Sequence, residues 1–135
     1  MDKILNKYKG TGFKLTPQRL AILKYLEGNR DHPSAEEIFS DLKETNPTLS
    51  FATVYNTVQA LIGRGELCEL SIDPERRRFD PDASPHHHIR CTSCGRIDDV
   101  MVDYSASLEL PDDVLNDFEV EANHVDFFGV CNNCR

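Results

Sequence analysis

The chain has 135 residues, of which 39% are hydrophobic and 28% charged, and its formal net charge is −8. That is the size of one ordinary domain or two small ones, too apolar for disorder, and no apolar run approaches the roughly 20 residues of a membrane span. The opening MDKILNKYKG has no apolar signal region, so export and a disulfide framework are not expected. A cytoplasmic location is, where five cysteines read as metal ligands or redox thiols.

The charge is uneven. Residues 1–80 carry 12 Lys and Arg against 12 Asp and Glu, whereas residues 81–135 carry 3 against 11. Within residues 1–25, five Lys and Arg19 face only Asp2. Phosphate binding follows the local field, so an acidic total does not exclude a basic DNA-facing surface. The asymmetry points to two halves with different tasks.

A short helix is expected over residues 4–9. Thr16-Pro17 places an N-cap and a first-turn proline before Leu20, Ile22, Leu23 and Leu26, and Gly28 supplies the stop. Ser34 and Glu37 form a capping-box pattern opening a helix with Ile38, Phe39 and Leu42 on one side. Ser50 caps a third helix, striped by Val54, Val58, Leu61 and Ile62 and ended by Gly63 and Gly65. Residues 66–72 and 76–80 read as two extended runs around an Asp73-Pro74-Glu75 turn. Three helices and a two-stranded wing make a winged helix-turn-helix. The expected organisation is a DNA-binding domain over residues 1–80, a hinge at 81–85 (Pro-Asp-Ala-Ser-Pro), and a module at 86–135. In the last, strands are expected at 86–90, 97–102, 118–122 and 125–130, with a helix over 105–117. The fold class is therefore α+β.

Cys91-Thr92-Ser93-Cys94 and Cys131-Asn132-Asn133-Cys134 are two CxxC knuckles separated by 36 residues. Two-residue spacing turns both thiolates of a knuckle toward one ion, and two knuckles complete a tetrahedral cage. Structural zinc is the leading reading, with an iron–sulfur site or a redox dithiol pair as alternatives. Such a closed site is scaffold, not catalyst. Cys68 stands alone in the wing and reads as a small buried hydrophobe.

His86-His87-His88 precede Cys91, and Asp98-Asp99 follow Cys94. On a strand His86 and His88 share one face and His87 takes the other. With Asp80 and Asp99 they make a mixed N/O site suited to Fe²⁺, Mn²⁺ or Zn²⁺, against the plainer reading of a polar, solvated strand. His32 lies in the other half, before Pro33. It is either an exposed residue ahead of a helix or a ligand that links the two halves.

Leu15-Thr16-Pro17-Gln18-Arg19, His32-Pro33-Ser34-Ala35-Glu36-Glu37-Ile38, Ala52-Thr53-Val54-Tyr55, Arg78-Phe79-Asp80, the three histidines and both CxxC pairs together resemble the ferric uptake regulator (Fur) family in its order along nearly the whole chain. The resemblance implies a homodimeric, metal-dependent transcription repressor with an N-terminal winged helix and a C-terminal α/β dimerisation module. It implies that Cys91, Cys94, Cys131 and Cys134 hold structural Zn²⁺, and that His32, Asp80, His86, His88 and Asp99 hold a regulatory Fe²⁺ or Mn²⁺. The helix from Ser50 matches the family's recognition helix, with Lys14, Arg19, Ser50, Thr53, Tyr55, Asn56 and Gln59 as contacts to a palindromic duplex operator. A further family metal site would draw on His87 and His124, although Ala106 stands where a carboxylate is expected.

Two details are similar to the peroxide-sensing PerR branch: both regulatory carboxylates are Asp, and Asn56 follows Tyr55 where iron-uptake members usually have Arg. That branch implies derepression by iron-catalysed oxidation of a ligand His, His32 or His86. The alternatives within the family are iron-, zinc- or manganese-uptake regulators. Two rivals come from other classes. A zinc-stabilised interaction adaptor is kept open by Arg64 being the only charge in residues 50–64. A mononuclear metalloenzyme would need an open coordination position and a substrate pocket, and no HExxH, nucleophile elbow or phosphate loop is present.

Overall fold

The computed structural model describes residues 2–135. It divides into two compact units, one ending at Ala83 and the other running from Ser84 to Arg135. The first holds α1 (Asp2–Tyr8), α2 (Pro17–Leu26), α3 (Ala35–Leu42), α4 (Phe51–Gly63), β1 (Cys68–Leu70) and β2 (Arg78–Asp80). Three of its helices begin where capping chemistry places them. The Oγ atoms of Thr16, Ser34 and Ser50 accept the amide N–H three residues on, from Arg19, Glu37 and Thr53, at 3.1–3.2 Å. Inward-facing residues at helical spacing then build one core: Ile4 and Tyr8 from α1, Ile22, Leu23 and Leu26 from α2, Ile38 from α3, and Val54, Val58 and Leu61 from α4. Phe79 of the wing closes the same cluster. Thr16→Ala removes the half-buried cap of α2 and is expected to lower the stability of this unit by about 1 kcal/mol in urea unfolding, without changing metal content.

The wing is shorter than its sequence runs suggest. β1 and β2 pair antiparallel over three residues each, Cys68 opposite Asp80 and Leu70 opposite Arg78. Between them Asp73 closes its own turn, its Oδ1 accepting the Glu75 N–H at 2.9 Å. Cys68 is exposed rather than buried. It opens a two-stranded ribbon whose buried positions lie further on, at Leu70, Ile72 and Phe79.

The second unit is a three-stranded sheet in the order β4-β3-β5, made of β3 (His87–Cys91), β4 (Ile97–Val100) and β5 (Asp126–Gly129), with α5 (Asp112–Asp117) before β5. β3 runs antiparallel to β4 and parallel to β5, so His88 sits opposite Asp99 on one side and Asp126 on the other. Two expectations fail here. The helix expected from residue 105 begins only at Asp112, because Pro111 disfavours helical geometry at Leu110 and becomes the N-cap itself. Residues 118–122 form no strand. Their alternation of Phe118 and Val120 with Glu119 and Glu121 suits one, but no strand within the unit pairs with them.

This unit buries very little. Among its apolar side chains only Cys91 and Ile97 are buried, while Phe118 is 70% exposed and Met101, Val102, Leu115, Val120, Phe128 and Val130 are also open. A unit of this size with so small a core needs a metal or a partner to hold it. Among the described residues no helix is long and apolar enough to cross a membrane.

Candidate metal centres and nucleic-acid interface

The knuckle cysteines gather at one end of the sheet. Cys91 ends β3, and Cys131 follows β5 by two residues, next to the Cys91–Gly129 rung. Thr92 ties the knuckle to β5, its N–H donating to the Gly129 carbonyl at 2.8 Å. Gly95, at φ +83°, lets the chain turn back, with its N–H donating to the Cys91 carbonyl at 3.0 Å. All four sulfurs lie within 4.8 Å of one another. Cys94 Sγ and Cys131 Sγ are 3.8 Å apart, far beyond the S–S bond length of about 2.05 Å. With Zn–S bonds of about 2.3 Å, a tetrahedron has S···S edges of about 3.8 Å, so the cage fits zinc.

The electrostatics agree. Amide N–H groups of Cys94 and Cys131 point at Cys91 Sγ at 3.4 and 3.3 Å and bring its thiol down to about 5. Cys134, hydrogen-bonded to the Cys131 sulfur, is pushed up to about 11. Four thiolates cannot share this space without a cation to neutralise them.

The oxygen and nitrogen donors form two sets, one in each unit. In the first unit His32 Nε2 stands 3.3 Å from Asp80 Oδ2, and both residues are buried. The other carboxylate oxygen, Asp80 Oδ1, accepts the Asp82 N–H at 2.9 Å, which fixes how the group faces the imidazole. His32 is the one non-glycine residue with positive φ among those described, at 52°. Such a backbone costs about 1–3 kcal/mol and persists only where its surroundings enforce it. The sequence admits His32 either as an exposed residue ahead of a helix or as a ligand; its side chain is fully buried.

In the second unit Asp99 Oδ1 lies 3.0 Å from His86 Nε2 and 3.3 Å from His88 Nε2. The His86 Nδ1–H donates to the Ser84 carbonyl at 2.8 Å. In the neutral ring this leaves the Nε2 lone pair facing a carboxylate oxygen, an arrangement that calls for a proton or a cation between them. A backbone carbonyl on one nitrogen, which turns the other toward the carboxylate, is how a ligating histidine is held. Both donor sets therefore fit a divalent ion.

His87 turns to the other side of β3. Its Nδ1 accepts the Val125 N–H at 2.9 Å, and its ring lies 5.9 Å from that of His124. A further group of ligand atoms, from His88, His124 and Asp126, lies within 4.8 Å and does not include His87. Asp126 went unread in the sequence; its signal is the i, i+2 spacing from His124 on the approach to a strand.

The residues expected at DNA lie on the first unit. Tyr55, Asn56 and Gln59 of α4 form an uncharged stripe opposite buried Val54, Thr57, Val58 and Leu61, with Tyr55 and Asn56 exposed and Gln59 half-buried. Ser50 and Thr53 hydroxyls are 2.9 Å apart at the cap. Arg19 is braced, its guanidinium stacked 4.8 Å from the Phe13 ring centroid and donating to the Lys14 carbonyl.

A winged helix followed by a small module with a four-thiolate cage and imidazole–carboxylate pairs is the build of a metal-responsive transcription regulator. Residues 10–127 match the ferric uptake regulator family, and the chain belongs to it. The peroxide-responsive repressor PerR of Staphylococcus aureus is 33% identical over all 135 residues, which cover 91% of that protein. Among solved structures, the ferric uptake regulator of Francisella tularensis with iron is 29% identical with a TM-score of 0.73, covering 93% of this chain and 97% of that one. PerR of Streptococcus pyogenes, described for peroxide sensing and gene regulation, is 28% identical with a TM-score of 0.55 over 98% and 91% of the two chains.

Proposed function

We propose that the chain is a peroxide-sensing repressor: a homodimer that holds a palindromic duplex operator while a divalent ion is bound, and releases it after peroxide attack. The observation that carries this reading is the pair of complementary donor sets. His32 with Asp80 offers two ligands and His86, His88 and Asp99 offer three, and neither set completes the shell of Fe²⁺ or Mn²⁺ alone. Only five residues separate Asp80 from His86, so the sets stay within about 20 Å of each other whatever the hinge does. One cation taking all five ligands fixes the angle across residues 81–85.

That angle governs the separation of the two α4 helices in a dimer, and half-sites on duplex DNA lie at set helical spacings. The uncharged stripe of α4 suits base-edge reading by Asn56 and Gln59, with Ser50, Thr53 and Tyr55 beside them and Lys14 and Arg19 on phosphates. The exposed apolar side chains of the second unit, Phe118 and Val120 among them, suit a face covered by a second copy. Cys91, Cys94, Cys131 and Cys134 hold a structural zinc that never leaves.

His32, Asp80, His86, His88 and Asp99 would hold the Fe²⁺, which would give one electron to H₂O₂ and, as Fe³⁺, take one back from the ring adduct, so that an imidazole gains one oxygen, loses two electrons and the peroxide leaves as water. The imidazoles of His32 and His86 would be the rings modified; an oxidised ring binds metal poorly, and the clamp opens. The test is operator binding by the Fe²⁺ and Mn²⁺ forms, each with and without H₂O₂, followed by mass spectrometry. The expected result is release of the Fe²⁺ form alone, with one added oxygen on a peptide carrying His32 or His86. Release with unmodified histidines and oxidised CxxC thiols contradicts it. An Fe²⁺ form that stays bound under peroxide favours an iron-uptake regulator.

A further inference from the structure

We infer that Arg78 is a positioning residue for the regulatory metal, holding His32 in a backbone conformation it would not otherwise keep. The inference rests on the reading of His32 as a ligand. Arg78 is 8% exposed, unusual for a guanidinium, and its donors are divided between the loop that carries His32 and Asp73 of the wing turn. Nε donates to the His32 carbonyl, Nη2 to the Asp31 carbonyl at 3.3 Å, and Nη1 to Asp73 Oδ2 at 3.2 Å.

Three consecutive residues of β2 grip this loop in turn. Arg78 takes the His32 carbonyl with its side chain, Phe79 donates its N–H to the Pro33 carbonyl at 2.9 Å, and Asp80 meets the His32 ring. His32 sits at φ 52°, where a residue with a Cβ is rarely found. Pro33 has no amide proton to anchor the loop itself. The carbonyls on the Arg78 fork are those of His32 and the residue before it, so the fork defines the peptide geometry from which the imidazole projects toward Asp80.

Asp73 lies in the wing turn and holds the fork from its far side; burial works against its charge, but hydrogen bonds from the Glu75 amide and from Arg78 keep its carboxyl below the usual range. A planar fork with donors in several fixed directions can serve both carbonyls and this carboxylate together; a lysine ammonium on a flexible stem cannot.

The experiment is Mn²⁺ affinity of the full-length, zinc-loaded protein, measured with zinc content and thermal midpoint for wild type, Arg78→Lys, His32→Ala and the double variant. A purely structural role lowers the midpoint and leaves the affinity of the folded protein alone. The expected result is a loss of Mn²⁺ affinity of about 10- to 100-fold in Arg78→Lys with zinc retained, and no further loss when it is added to His32→Ala, because Arg78 acts through that ring. Affinity within twofold of wild type in Arg78→Lys, or losses that simply add in the double variant, overturns the role of Arg78 and leaves the bridging site standing. Wild-type affinity in His32→Ala removes the bridging site itself and the inference with it. Should Arg78→Lys misfold, Asp73→Asn loosens the fork while keeping the arginine; it must lower Mn²⁺ affinity in the same direction, and unchanged affinity there overturns the inference.

Discussion

Cys131→Ser is expected to lose the bound zinc and to unfold residues 84–135 while the first unit stays folded. Structural zinc sites contribute roughly 10–16 kcal/mol of apparent binding free energy at neutral pH, as much as the whole stability of an ordinary domain. This unit has little to set against that loss, since Cys91 and Ile97 are its only buried apolar side chains. The sulfur cage is also what ties the end of the chain back to β3, through Cys131 and Cys134 after β5. The first unit, with its own core from Ile4 to Phe79, does not depend on it. Metal analysis and amide dispersion in an NMR spectrum read both effects at once. A variant that keeps stoichiometric zinc, or keeps dispersed signals for residues 84–135 without it, contradicts the structural role.

The second large effect is expected from His32→Ala. It leaves all four thiolates in place, so zinc content and the fold of the second unit should not change. It removes the only imidazole that the first unit offers to the regulatory ion, leaving Asp80 alone there. Moving a two-state equilibrium from 1:99 to 99:1 takes about 5.5 kcal/mol of differential binding, and only a ligand held by both units can supply it. The expected result is that Mn²⁺ no longer tightens operator binding, with affinity staying at the level of the metal-free wild type. Metal-stimulated binding of ordinary strength in this variant would place the ion entirely on the second unit. The contrast between the two variants separates the scaffold from the switch.

Much of this was legible in the sequence where the determinants are local. Thr16, Ser34 and Ser50 announce helix starts because a cap needs only a hydroxyl and an amide three residues away. The CxxC spacing announces its cage for the same reason. His86 and His88 meet the same carboxylate, Asp99, as residues two apart in an extended run should, although His86 stands just before β3. The failures are equally physical. The helix expected across residues 105–117 starts only at Asp112, because Pro111 disfavours helical geometry at the residue before it. Residues 118–122 show the alternation of a strand without a partner strand in the unit. The backbone of His32 at φ 52° and the fork of Arg78, 46 residues further along, depend on contacts that no short window contains. Asp126 became a site residue only when the parallel register set it opposite His88.

The central claim is that one divalent ion takes ligands from both units. Electron spin-echo envelope modulation of the Mn²⁺-loaded, zinc-replete protein counts the imidazole nitrogens bound to that ion. Three are predicted, from His32, His86 and His88, falling to two in His32→Ala. Two in both proteins would contradict the bridge.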